Sequence, residues 1–298
     1  MIVLATISDM SRVAIVLNLE TGAVSSVPAR PEFFDLRVAN RPQCRPFGIT
    51  WTEGELFVAN NRQLVVLDKR LDYVRTETTT LQVNVHQLAY HSKRVWAASP
   101  WTNSLIGVPT EQDAGPLEFD LFDQTVKSYV ERDAREVEDV NHVNSLLWAE
   151  DRLFVVAHNF GPSFILCYDS ATYRLDSMQY DVGLSVHGLA YRDGELYWIS
   201  TKTGEIRSNK GFRIELTRPG FSRGLAFTGE YLIVAISEHR SSRTDRAYGD
   251  SWIQVIDRRD KEVVAEHLLP STGSINDLRV LDEYDYAHCI SPFWSAPP

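Results

Sequence analysis

The stretch VHGLAYRDGELYWIS at 186–200 reads as two short strands around a tight polar turn. VHGLAY and ELYWIS are apolar at nearly every position, as strands covered on both faces are. The intervening RDGE carries hairpin-turn residues. The same pattern stands at PFGITWTEGELFVAN (46–60), VHQLAYHSKRVWAAS (85–99) and VNSLLWAEDRLFVVAH (143–158). It returns at SRGLAFTGEYLIVAIS (222–237) and INDLRVLDEYDYAHCIS (275–291).

Weaker strands follow most copies: QLVVLDKRLDYVRTET (63–78), SFILCYDSATYRLDSMQY (163–180) and SWIQVIDRRDKEVVAEHLL (251–269). Four antiparallel strands in a unit of about 40 residues are the mark of a β-propeller. The whole chain, 1–298, is therefore expected to be one all-β propeller domain. Six blades are expected, with seven as the alternative, because IVLATIS near the N-terminus and YAHCIS near the C-terminus both read as second strands. The two ends are expected to complete one blade and so close the ring.

The first strands open on Phe47, His86, Asn144, His187, Arg223 and Asn276, spaced 39, 58, 43, 36 and 53 residues apart. The unequal spacing implies insertions, near 104–141 and 238–251. DQTVKSYVERDAREVED in the first suggests a short acidic helix, and the second reads as a polar loop or lid.

Net charge is −10 and no basic run exceeds two residues. Nucleic acid and anionic membranes, which require basic patches, are not expected partners. No apolar stretch approaches the length of a membrane helix, and the N-terminus lacks a basic leader. Cys44, Cys167 and Cys289 are far apart and form no CxxC, so buried free thiols in a reducing, cytoplasmic setting are expected. There is no GxxxxGK[ST], GxGxxG or GxSxG, so no nucleotide cofactor and no serine nucleophile is expected.

In a propeller the inner strands run alike along the axis, so their opening residues form one ring at one mouth of the channel. Loops after the second strands return there, adding Asn60, Asn61, Trp101, Asn103, His158, Asn159, Lys202, Glu238 and His239. Asn141 and His142 lie on the approach, and Phe293 with Trp294 is placed as a cap. Within this ring His86 and His187 are candidate acid/base residues. His86, Asn144 and His187 form a candidate divalent-metal set. Arg223, Asn276, Trp101, His158, Asn159, Glu238 and His239 are candidate substrate contacts, with Arg223 suited to an anion. A structural reading competes for each: Arg223, for instance, is alternatively an ion-pair partner of Asp277.

The openings RPFGITW (45–51) and VNSLLW (143–148) resemble those of the gluconolactonase (SMP-30) and NHL-type propellers. That resemblance implies a divalent metal held by the asparagine at the anchor, here Asn144. The group's other ligands, a glutamate near the N-terminus and a later aspartate, have no counterpart. The closing stretch 252–281 is similar to uncharacterised bacterial propellers. Together these readings point to an enzyme acting on a small polar or carbohydrate-like metabolite at the mouth: a hydrolase, lyase or lactonase, with or without a metal. The alternative is a non-catalytic propeller presenting the same face to a glycan or a protein partner.

Overall fold

The computed structural model describes residues 1–8, 12–27, 46–60, 62–77, 81, 85–111, 114–130, 132, 138–159, 161–240 and 245–295. Six antiparallel sheets form its regular structure. One closing blade joins the inner strand Ile275–Val280 to Ile2–Ile7, Ala14–Asn18 and Val24–Val27. The next begins with Pro46–Trp51 and continues through Leu56–Asn60, Gln63–Leu67 and Tyr73–Thr76. The remaining inner strands are Leu88–His91, Ser145–Ala149, Val186–Arg192 and Phe221–Phe227, each leading its own sheet.

The ring therefore has six blades, and the seven-bladed alternative falls. IVLATI is the second strand of the closing blade, paired with Ile275–Val280 from Val3 opposite Val280 to Ile7 opposite Ile275. YAHCIS is not a strand but a run of turn between bridge residues Asp285 and Ile290. The C-terminal piece thus supplies one strand to the closing blade rather than two. Asp285 explains why: its carboxylate accepts the backbone N–H groups of Phe227, Val280 and Ala287, which pulls the chain across the turn side of the ring.

The acidic insertion also departs from expectation. Leu117–Asp120 and Thr125–Ser128 are strands that extend the third blade to five, so part of the expected helix is sheet. Thr125, Val126 and Ser128 suit an exposed edge strand better than a helix. Residues 131 and 133–137 of that prediction lie outside the described residues, as do Asn61 and Cys44.

Hydrophobic clusters fill the wedges between neighbouring blades. One unites Leu4 and Ala14 of the closing blade with Trp51, Val58 and Val65 of the next. Inner strands are covered on both sides, which is why they read as unbroken apolar runs. The hairpin turns beneath them are tight: Ser92–Lys93 and Asp193–Gly194 have positive φ at both positions, the type I′ geometry that matches strand twist. No helix among the described residues is long and apolar enough to cross a membrane.

Candidate functional site at the channel mouth

Several inner strands open with an irregularity at or beside the anchor. Pairing registers shift between Pro46 and Ile49, between His187 and Leu189, and between Arg223 and Leu225. Such bulges bend a strand and re-aim a side chain. The residue after each anchor fixes the spacing between blades. At Gly188 an added Cβ would stand 2.9 Å from Leu225 Cβ, and at Gly224 it would stand 2.9 Å from Leu278 Cβ. In the other blades a side chain takes the glycine's place and reaches across. Gln87 Oε1 accepts from Leu146 N, Ser145 Oγ from Gly188 N, and Asp277 Oδ2 from Ile49 N, at 3.0–3.1 Å. Position by position, Gly48, Gln87, Ser145, Gly188, Gly224 and Asp277 form an inner ring that sequence reading missed, although the alignment of the six copies displays it.

Above that ring the anchors converge. Phe47, His86, Asn144, His187 and Asn276 line one small cavity of about 20 Å³, room for a single water-sized group. Arg223 joins through Nη1, which donates to Asn276 Oδ1 at 3.3 Å. The Asn276 amide is otherwise committed: Nδ2 donates to Ser8 Oγ and Pro46 O. Asn276 is therefore a positioning residue for Arg223. Asp277 pairs instead with Arg279, at 2.8 Å.

Four imidazoles cluster here. His86 lies edge-on to His142, ring centres 4.9 Å apart, and 6.5 Å from His187; His142 and His158 are 4.6 Å apart. Hydrogen bonds fix two of the tautomers. His187 Nδ1 faces Ser185 O at 2.8 Å, and a carbonyl only accepts. Its other Nδ1 neighbour, Thr201 Oγ1, donates its own hydrogen to Ser222 O. Nδ1 therefore carries the proton, and Nε2 presents a lone pair that has no partner among the described residues. Asn144 Nδ2 donates to Val186 O, which leaves Oδ1 as a second unsatisfied acceptor in the same cavity. His142 Nδ1 stands 2.7 Å from Asp139 Oδ2, so with the carboxylate ionised that nitrogen is the donor and Nε2 the base.

Burial keeps the deeper histidines neutral. His86 and His187 are held well below the usual imidazole range, first by desolvation and then by the positive charge of neighbours that include Arg223. His158 is lowered to about 4, again chiefly by burial. Arg223 and Lys202 both act on His158, opposed by Asp139. Arg223 and Arg246 both lie over the Phe221 ring, at 4.4 and 5.4 Å. In a chain of net charge −10, the mouth is a local concentration of cations.

The remaining predicted contacts are more dispersed. Asn60 is buried, Trp101 half-buried, and Asn159, Lys202 and His239 exposed. Asn103 Oδ1 accepts from Asn141 N, which holds the approach to His142. Glu238 Oε2 bonds Arg240 and the backbone of Asp250. The described end of the 238–251 insertion is tied down: a 3₁₀ turn at Asp245–Ala247 follows residues 241–244, and Ser274 N donates to Arg246 O. Phe293 and Trp294 lie at the opposite end of the channel from the mouth. Phe293 packs on Trp51, at the far end of its inner strand, and Trp294 Nε1 donates to Lys69 O.

The donor set does not fit the metal that the resemblance implied. No three His, Cys, Asp or Glu side chains among the described residues are placed to share an ion. Asp277, the carboxylate lining the cavity, is held by Arg279 and by two backbone N–H groups.

No family model matches the chain, and no curated protein matches it. Solved structures do. A protein of unknown function from Bacteroides caccae aligns with 93% of this chain and 97% of its own at TM-score 0.63 and 10% identity. A chain of the nidogen/laminin complex aligns with the same coverage at TM-score 0.64 and 9% identity. A chain of the Kuenenia stuttgartiensis hydrazine synthase covers 90% of this chain and 83% of its own, at TM-score 0.53 and 12% identity. At such identities the likeness is one of fold, and the fold is a six-bladed β-propeller.

Proposed function

We propose that the chain is a hydrolase that opens a lactone or ester of a small sugar acid at the histidine-lined mouth. The observation that carries this reading is the 2.7 Å contact between Asp139 and His142. A carboxylate bound to Nδ1 orients the ring and stabilises the imidazolium that forms when Nε2 takes a proton. In the proposed step a water attacks the substrate carbonyl carbon while His142 Nε2 removes its proton. The carbonyl C–O bond to the leaving oxygen then breaks, and that oxygen recovers the proton. Arg223 offsets charge on the carbonyl oxygen and afterwards holds the product carboxylate. A single substrate hydroxyl reaching into the cavity donates to His187 Nε2 or Asn144 Oδ1. No step requires a metal.

Hydrolysis of glucono-δ-lactone, followed by titrating the acid released, tests the reading. Wild-type protein should exceed the spontaneous rate, and H142A should return it to that rate. A wild-type rate equal to the spontaneous one removes the enzyme reading. If gluconate nevertheless raises the melting temperature, and R223Q abolishes the effect, the mouth is a binding site without chemistry.

A further inference from the structure

The opposite end of the channel holds a larger cleft, of about 330 Å³, within the range of ligand sites. The turns below three consecutive blades line one side of it, and the C-terminal segment that crosses the ring lines the other. Tyr90, Trp148, Tyr191 and Tyr284 supply aromatic walls, and Glu150 and Asp193 stand at its rim. Trp148 is 6% exposed, yet its Nε1–H has no acceptor among the described residues. One face of its indole is stacked on His91, with planes 6° apart and centres at 4.9 Å. Tyr284 is 42% exposed at the opening. A buried indole N–H is normally hydrogen-bonded. In Trp148, which lines this cleft, the enclosed N–H is a donor with no partner among the described residues.

The surroundings restrict which ligand fits the cleft. An anion would meet Glu150 and Asp193, and the nearby cation does not welcome it. Arg192 is already bonded to Thr228 O, Gly229 O and Asp193, and lies over the Tyr286 ring at 4.9 Å. A cationic guest would meet that same guanidinium and would leave the indole N–H unanswered. What remains is a neutral, oxygen-rich ligand with a flat apolar face.

We infer that this cleft is a second ligand site, separate from the histidine mouth, that binds a neutral sugar ring. One of its oxygens accepts from Trp148 Nε1–H, its hydroxyls donate to Glu150 and Asp193, and its C–H face lies on Tyr284. The inference stands apart from the hydrolase reading, since no residue is shared with the mouth.

Methyl glycosides of glucose, galactose and mannose are the probes, titrated against full-length protein with tryptophan fluorescence and indole N–H resonances as readouts. At least one should give saturable binding with Kd in roughly the millimolar range or tighter. W148F, which keeps an aromatic side chain and removes the donor, should weaken that binding roughly three- to tenfold, the worth of one hydrogen bond. Y284A, at an exposed position where folding is not at stake, should weaken it as well. R223Q, at the other mouth, should leave it unchanged. The inference is overturned if no glycoside saturates, if binding survives both W148F and Y284A, or if tetramethylammonium saturates the site in place of the sugars.

Discussion

Asp139 Oδ2 lies 2.7 Å from His142 Nδ1, on the approach to the third anchor and edge-on to His86. The pair joins the end of the acidic insertion to the histidine ring. Asp139→Asn should therefore preserve the fold and damage the chemistry. An asparagine can offer its N–H to Nδ1 and so favours the wrong tautomer, as in triads where this change costs several orders of magnitude in rate. The expected result is a loss of roughly 100-fold or more in kcat for lactone hydrolysis, with the melting temperature within a degree or two of wild type. Equal kcat in the two proteins would remove the pair from the mechanism.

The buried histidines set a direction for stability against pH. His158 has a folded pKa of about 4 against 6.5 unfolded. Between those values the unfolded chain binds a proton that the folded chain refuses, so stability rises with pH and is lost as pH falls from 6.5 toward 4. His86, His187 and His288 shift the same way. Asp277 opposes them. Burial raises its carboxyl to about 6, so its contribution is present at low pH and is lost as pH rises from 3.8 through 6. Asp285 acts likewise. Four imidazoles against two carboxyls leave a net loss on acidification. Melting temperature should fall between pH 7 and pH 5, and H158N should flatten that slope by up to about 1.4 kcal/mol per pH unit. A stability that rises on acidification would show these imidazoles to be exposed.

The fold was legible because propeller strands repeat one environment. Each of the six copies must be apolar on both faces and end in a turn, and six repetitions outweigh the ambiguity of any single strand. The ring of anchors was legible for the same reason: topology alone places Phe47, His86, Asn144, His187 and Asn276 in one cavity. What the sequence concealed was partnership. Asp139 lay within an acidic run that suggested a solvated helix, and nothing local links it to a base. Asn276 matches Asn144 in type and register, yet it holds Arg223 because Ser8 and Pro46 happen to occupy its amide. The C-terminal YAHCIS has the composition of a strand, but three backbone N–H groups converging on Asp285 override that preference.

Asp277 and Arg279 form the buried ion pair of the channel, at 2.8 Å and 3% and 0% exposure. Asp277→Ala would leave the guanidinium charged and without its carboxylate partner inside the ring and would free Ile49 N, so the closing blade would lose one of its ties to the next. A cost of about 3–5 kcal/mol is expected. Combining Asp277→Ala with Arg279→Met should recover part of it, since replacing both charges removes the desolvation cost as well. Denaturant melts of wild type, the single variant and the double variant measure this, and a single variant as stable as wild type would exclude the pair from ring closure.

Gly224→Ala tests the spacing of the inner ring. The position has φ of +73°, and a Cβ there would meet Leu278 Cβ at 2.9 Å and Leu278 N at 3.0 Å. The left-handed backbone costs an alanine about 1–2 kcal/mol, and crowding against a fixed neighbouring strand adds about 1–3 kcal/mol. Gly229, in a hairpin turn with nothing within 4 Å of its Cβ position, provides the contrast. Gly229→Ala should be nearly neutral while Gly224→Ala lowers the denaturation midpoint sharply. Because Arg223 and Asn276 flank the site of the clash, Gly224→Ala should also weaken gluconate binding at the mouth beyond what its stability loss explains. Equal midpoints for the two variants would mean that inner strands tolerate wider spacing, and that the anchors are not held at fixed separation by the residues behind them.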